Sequence, residues 1–168
     1  MVATTSRCVW VLLSYRVPRE PSTPRIAVWR KLKRLGGAQV GDGLVALPAD
    51  ARTQEQLEWV AEEILEAGGS ASLWRAELVS LAQERALIQQ MAQARGREYT
   101  AIAERAGAGL ASDGPTGLRL LRSLRRELRQ VQRRDFFPPS DRDLARAQVR
   151  VLADAVLARA EAVPEVVS

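Results

Sequence analysis

Residues 8–47 read CVWVLLSYRVPREPSTPRIAVWRKLKRLGGAQVGDGLVAL. The opening CVWVLLSY is apolar on both alternating faces, the pattern of a strand central in its sheet. Pro18 and Pro21 end that strand, because proline supplies no N–H to a ladder. A helix is expected over 24–35, with Thr23 as N-cap and Pro24 at the first helical position, where a missing N–H costs nothing. Val28, Leu32 and Leu35 recur at i, i+4 and i+7 as its core stripe, and Gly36-Gly37 stops it. Two short strands, 38–41 and 43–47, are joined around Gly41-Asp42-Gly43, a hairpin signal.

The pattern continues outward. Thr53 with Gln56 three residues later reads as a capping box that starts a second helix. It runs to about Ala67 with Leu57, Val60, Ile64 and Leu65 on one face, and Gly68-Gly69 ends it. SASLWRAEL at 70–78 reads as a fourth strand. The order β-α-β-β-α-β is the ferredoxin-like arrangement, a four-stranded antiparallel sheet with both helices on one face. Everything after about residue 80 reads helical. One segment covers 81–105 with Leu81, Leu87, Ile88 and Met91 as contacts. A flexible break follows at 107–117. A helix over 118–134 carries Leu121, Leu124, Leu128 and Val131, and Ser140 caps a last helix to about Val163. The fold class is therefore α+β. A ferredoxin-like unit over 1–80 is followed by a helical extension over 81–168, expected to pack on it as one continuous domain and to cover the sheet or form a dimer seam.

Composition narrows the function classes. An apolar fraction of 46% and a charged fraction of 27% over 168 residues suit one soluble globule. The apolar run VWVLL at 9–13 stops far short of the roughly 20 residues of a membrane span. The N-terminus shows no signal-peptide pattern, so a cytoplasmic location is expected. Cys8 stands alone, which rules out an internal disulfide, and it reads as a small buried hydrophobe. Histidine is absent, which removes His-dependent zinc sites and both Ser-His-Asp and Cys-His catalysis. GGAQVGDG lacks the GK[ST] ending of a phosphate-binding Walker loop. Glu55, Glu58, Glu62, Glu63 and Glu66 line one helix without a spacing that demands catalysis, while Asp42 and Asp50 read as turn and cap residues. No catalytic residue, metal site or cofactor is expected.

The net charge of +5 is distributed in blocks. Residues 7–34 sum to +7, 50–67 to −5, 118–134 to +6, and the tail from 135 to −2. In the first basic block Arg30, Lys33 and Arg34 lie opposite the apolar stripe, at about 100° per residue, and Lys31 flanks it. For these a solvated helix face competes with anion binding. Arg16, Arg19 and Arg25 converge where the strand hands over to the helix, beside the Ser22 and Thr23 hydroxyls and free N–H groups. Such a corner suits a phosphate or another tetrahedral oxyanion. The competing reading pairs Arg16 and Arg19 with Glu20, Glu62 and Glu66. In the second block Arg119, Arg122, Arg125, Arg126, Arg129, Arg133 and Arg134 surround the leucine seam. That helix is a packed helix with a basic exterior, a helix along a DNA backbone, or a membrane-surface helix, which would want more aromatics. Trp10, Trp59 and Trp74 read as core. Trp29 lies off its helix stripe and is the tryptophan expected to meet a ligand or partner. Phe136-Phe137 before Pro138-Pro139 are expected to dock the chain turn.

The run VWVLLSYRVPREPSTPRIAVWRKLKRLGGAQVGDGLVALP resembles the N-terminal domain of the chromate-resistance regulator family, ChrB, and LRRELRQVQRRDFFPP is similar to that domain's end. More distantly, the strand–proline–basic helix–hairpin order is similar to the ferredoxin-like domain of PaaX-type repressors and to the small CRISPR adaptation nucleases. The resemblance implies a cytoplasmic DNA-binding transcriptional regulator of a chromate-efflux operon, acting as a homodimer. The implied partners are duplex DNA, chromate or another oxyanion, and a separate chain carrying the family's C-terminal domain, which has no counterpart in these 168 residues. The residues assigned to DNA or oxyanion binding are Arg16, Arg19, Ser22, Thr23, Arg25, Arg30, Lys33, Arg119, Arg122, Arg126 and Arg129. The similar nucleases hold a divalent metal on an acid at the end of the first strand, where this chain has Arg16, so no enzymatic activity is expected. The alternatives are a protein-interaction adaptor whose basic face meets an acidic partner, and a degenerate nuclease relative.

Overall fold

A computed structural model describes residues 7–161. Its elements are β1 (Val9–Arg16), α1 (Ser22–Leu35), β2 (Ala38–Gly41), β3 (Leu44–Pro48), α2 (Ala51–Glu66), β4 (Ser70–Glu77), α3 (Leu81–Ala108), α4 (Gly114–Gln132) and α5 (Asp141–Glu161), with a 3-10 turn at Gly109–Ala111. The strand order is β2-β3-β1-β4 and every neighbouring pair is antiparallel. This is the expected ferredoxin-like sheet with β1 central. The chain divides into two compact units, Met1–Met91 and Ala92–Ser168, with the division inside α3.

In the first unit the register sets the core. Val11 lies opposite Leu47 and Leu13 opposite Val45, so all four share one sheet face, and all are buried. Arg75, opposite Val11 on β4, donates to the Gln54 side chain of α2 at 3.4 Å, which marks this face as the helix-covered one. Leu57, Val60 and Ile64 of α2 and Val28 and Leu32 of α1 complete it. Each such side chain contributes about 1.5–3 kcal/mol when withdrawn from water. α1 packs beside α2, and a Lys31–Glu63 ion pair links them. At the opposite end of β1, the Cys8 amide donates to the buried Glu84 carboxylate at 2.7 Å, tying the start of α3 to the strand. Cys8 is half-buried rather than buried, and desolvation, then the Glu84 charge, pushes its thiol pKa up.

Several local expectations change. The cap of α2 is Asp50, not Thr53. The Asp50 carboxylate accepts the Thr53 N–H at 2.7 Å, and the Thr53 hydroxyl accepts the Asp50 N–H at 3.0 Å while donating to the Pro48 carbonyl at 2.6 Å. Thr53 is thus the third helical residue of a reciprocal box, fully buried, and Gln56 takes no part. α1 begins at Ser22, with Pro21 in the extended cap position and no side-chain cap, so Thr23 sits inside the first turn. Pro24 is still tolerated there, because first-turn N–H groups have no intrahelical partner. The α1 stop is as expected: Gly36 adopts φ 78°, and the Gly37 N–H reaches back to the Leu32 carbonyl.

Leu65 is exposed, lying about 100° beyond Ile64 on the helix. Trp10 is buried, but Trp59 and Trp74 are 57% and 59% exposed, so the core reading fails for both. Trp59 lies about 100° from the α2 stripe residue Val60. Trp74 faces away from the helices, since its neighbour Arg75 faces toward them. Leu81 is likewise exposed, whereas Met91 is buried.

In the second unit α3 runs on to Ala108, and α4 starts at Gly114, capped by the Asp113 side chain on the Thr116 N–H at 2.9 Å. The expected 107–117 break therefore shrinks to a few residues. Tyr99, Ile102 and Ala106 of α3 pack with Leu121, Leu124 and Val131 of α4 and Ala145, Val149, Leu152 and Val156 of α5, with Leu128 partly buried against them. The leucine seam is thus spent inside the unit and is not left over for a dimer. Tyr99 donates to Asp135 at 2.8 Å, and Glu98 accepts from both Arg95 and Arg134. Burial pushes the Tyr99 hydroxyl pKa up and the Arg95 pKa down. Phe136 and Phe137 are half-buried at the turn before α5, which follows directly on Ser140. Val163, the expected helix end, lies outside the described residues.

Candidate functional site

Two basic surfaces emerge, one in each unit. The first is a 980 Å³ cleft at the end of the sheet where β1 finishes and β4 begins. Its α1 wall is Arg25, Ile26, Trp29 and Arg30, two i, i+4 pairs on adjoining helix rows. Arg16 contributes from the end of β1, opposite Ser70 of β4, and Ser72 follows one pleat further along. The hairpin side is supplied by Gln39, Asp42 and Gly43. Gly43 has φ 67°, and a Cβ there would overlap the Tyr15 carbonyl oxygen. Only glycine lets the hairpin come this close to β1.

Three arginines and one acid, Asp42, line this cleft, so its formal charge is net positive. None of Arg16, Arg25 and Arg30, nor the nearby Arg19, forms an ion pair with a described residue, so the competing pairing of Arg16 and Arg19 with Glu20, Glu62 and Glu66 is not made. Trp29 is 49% exposed and carries Lys33 over its ring, 4.1 Å from the centroid. Lys33 therefore braces the indole, while the indole itself lines the cleft. Burial pushes the Tyr15 hydroxyl pKa up, so it stays protonated.

The sequence-assigned residues are only partly brought together. Arg16, Arg25 and Arg30 share the cleft, whereas Arg19 lines a separate, 670 Å³ concavity with Arg16, Pro18, Gly68 and Gly69. Ser22 and Thr23 are exposed on the first turn of α1 and line neither. The cleft thus runs along the flank of α1 rather than at its N-terminus. Gln39, Ser70 and Ser72 have no site signal in the sequence and Asp42 reads there only as a turn residue, because strand pairing, not local pattern, carries them to this place, while Ile26 comes with Arg25 on α1.

The second surface is α4. Arg119, Arg122, Arg126, Arg129 and Arg133 recur at alternating spacings of three and four and are all exposed. At about 100° and 1.5 Å per residue they form one line, roughly 21 Å long, opposite the buried Leu121, Leu124 and Val131. Arg119 donates to the Thr116 hydroxyl at 3.1 Å, and Arg122, Arg126 and Arg129 make no ion pair with a described residue. Glu127, the one acid of this helix, is turned to the flank, where it accepts from Arg105 at 2.5 Å and from Ser123 at 3.0 Å. The Arg105 hydrogen bond, with smaller contributions from Ser123 and the Arg126 charge, holds its pKa below the ordinary carboxylate value, so Glu127 remains ionised.

Among the described residues no group of three or more Cys, Asp or Glu side chains is arranged to hold a metal ion, and no helix is long and apolar enough to cross a membrane. Comparison with curated proteins and with solved structures returns no match. The family model described as "Protein ChrB, N-terminal" matches residues 25–108, half of the chain. That span takes in α1 from Arg25 onward, the hairpin, α2, β4 and α3, and leaves β1, α4 and α5 outside. The chain belongs to the ChrB N-terminal domain family.

Proposed function

We propose that this protein is a cytoplasmic, non-enzymatic DNA-binding regulator of a chromate-efflux operon, and that α4 lies along the phosphate backbone of duplex DNA. The observation that carries the reading is the α4 arginine line, exposed over its whole length while the helix's single acid is engaged by Arg105. Arginines that rise by about 5 Å from one to the next can meet successive phosphates, and each contact releases condensed counterions. Arginine suits this role, because its planar fork bonds phosphate oxygens bidentately. Membership of the ChrB N-terminal domain family supports the regulatory part of this reading. The partners in this reading are duplex DNA, an oxyanion such as chromate, a second copy of the chain, and a separate chain carrying the family's C-terminal domain.

Titration of a fluorescent duplex over a range of salt concentrations tests it. The log of the association constant should fall linearly with log salt, by about 0.9 for each phosphate neutralised. Affinity that is flat in salt sinks the proposal. An adaptor reading draws on the exposed Trp59 and Trp74, aromatic side chains of the kind that anchor protein interfaces. It predicts no duplex binding above background.

A further inference from the structure

We propose that the cleft between α1, the end of β1 and the hairpin binds a nucleotide, with the phosphate held by Arg16, Arg25 and Arg30 and the base laid against Trp29. The site belongs to the first unit and does not rest on the α4 reading.

Four observations exceed what a bare oxyanion would need. The first is size: a tetrahedral anion displaces a few waters, on the order of 100 Å³, whereas the cleft holds 980 Å³. That volume lies near the top of the range for small-molecule sites, about 300–1,000 Å³. The second is the apolar part of the wall. Ile26 and Trp29 are 43% and 49% exposed, and a small dianion gains nothing from either. A base gains stacking on the indole, a contact that tolerates any base because each has a π-face. Lys33 over the ring fixes the indole and so lowers the cost of ordering it on binding.

The third is Asp42. A carboxylate in the wall opposes a multiply charged anion, yet it accepts from the exocyclic amino group or ring N–H of a base. Gln39 stands with it, its amide nitrogen already donating to the Gly41 carbonyl at 2.5 Å, which leaves its oxygen as a second acceptor. The fourth is the arginine set, three guanidinium groups with no ion pair to a described residue, in a cleft that Ser70 and Ser72 also line. Cationic donors at one side, an exposed indole, and acceptors on the hairpin match the phosphate, base face and base edge of one nucleotide.

Calorimetric titration of the full chain with the four common nucleoside 5′-monophosphates, their nucleosides, inorganic phosphate and sulfate provides the test. At least one monophosphate should bind about tenfold tighter than both inorganic phosphate and its own nucleoside. Trp29→Ala should weaken that nucleotide about tenfold and leave phosphate unchanged, with Trp29→Phe restoring most of the loss. Arg25→Ala should weaken nucleotide and phosphate alike. A 5′-phosphorylated single-stranded oligonucleotide separates the sources. If only the oligomer binds, and Trp29→Ala still weakens it, the nucleotide is taken from a strand end; if the free nucleotide binds, it is a diffusible ligand. Equal affinity for phosphate and every nucleotide, no binding of any of them or of the 5′-phosphorylated oligonucleotide, or affinity indifferent to Trp29 would each overturn the proposal. Duplex affinity in Trp29→Ala should stay unchanged, so failure here and failure of the α4 reading are told apart.

Discussion

The Tyr15 amide donates to the Gly43 carbonyl at 2.7 Å, clamping the end of the central strand to the turn of the β2-β3 hairpin. This clamp sets the floor of the cleft, and it depends on the absence of a side chain at Gly43. Gly43→Ala must hold an L-residue at φ 67° and push a methyl group against the Tyr15 carbonyl. A loss of about 2 kcal/mol or more is expected. Gly41→Ala, with open space around it, is the control and should change the melting temperature little. Equal effects from the two variants would contradict the clamp.

The cap of α2 gives a prediction about local sequence. Asp50→Ala removes the acceptor for the Thr53 N–H and should cost about 1 kcal/mol by denaturant unfolding. Gln56→Ala should be close to neutral. A larger loss at Gln56 than at Asp50 would restore the Thr53–Gln56 box.

Arg25 and Arg34 lie on the same helix but differ in what their removal does. Arg25 sits in the first turn of α1 and Arg34 in the last, where a cation favours the helix dipole. Arg25→Ala should leave the melting temperature unchanged or slightly raised, and Arg34→Ala should lower it slightly, each within about 0.5 kcal/mol. Phosphate binding should follow the opposite order, weakening about tenfold for Arg25→Ala and little for Arg34→Ala at one fixed salt concentration. Equal weakening by the two would reduce the cleft to diffuse positive charge.

The docking of α4 carries an acid sensitivity. Glu127 has its pKa lowered below the ordinary 4.5, chiefly by the Arg105 hydrogen bond. A folded pKa below the unfolded one adds stability above pH 4.5, and this is lost as pH falls through the depressed value. Glu127→Gln should therefore be less stable than the parent at pH 7, and the gap should close as the pH falls below the ordinary carboxylate value. A gap constant from pH 7 to pH 3 would show that Glu127 contributes shape rather than charge.

The sheet was legible in the sequence because its signals are local. CVWVLLSY announces a central strand by apolarity on both faces, and Gly36-Gly37 and Gly41-Asp42-Gly43 mark a stop and a turn that φ angles enforce. Trp29 could be picked out because it falls off the Val28–Leu32 stripe. The tryptophans at 59 and 74 misled, since their type argues for burial while their phase argues for exposure, and phase wins on a helix or strand covered on one side only. The cleft was half visible. Arg16, Arg25 and Arg30 are in the sequence as charges, but Ser70, Ser72 and Asp42 join them only through strand register, which no local window contains. The α4 arginines were visible as a block, yet the ion pair that engages Glu127 comes from Arg105, a residue on another helix.

The α4 arginine line carries the DNA-binding reading, and the measurement that tests it most directly is the salt dependence of duplex binding in Arg119→Ala/Arg126→Ala. Both side chains are exposed and face away from the packed leucines, so the double variant should fold with an unchanged melting temperature. If α4 lies on the backbone, two phosphate contacts are lost, and the slope of log association constant against log salt should become shallower by about 1.8. A slope equal to that of the parent, in a variant that folds normally, would contradict the account and leave α4 as a solvated helix with a basic exterior.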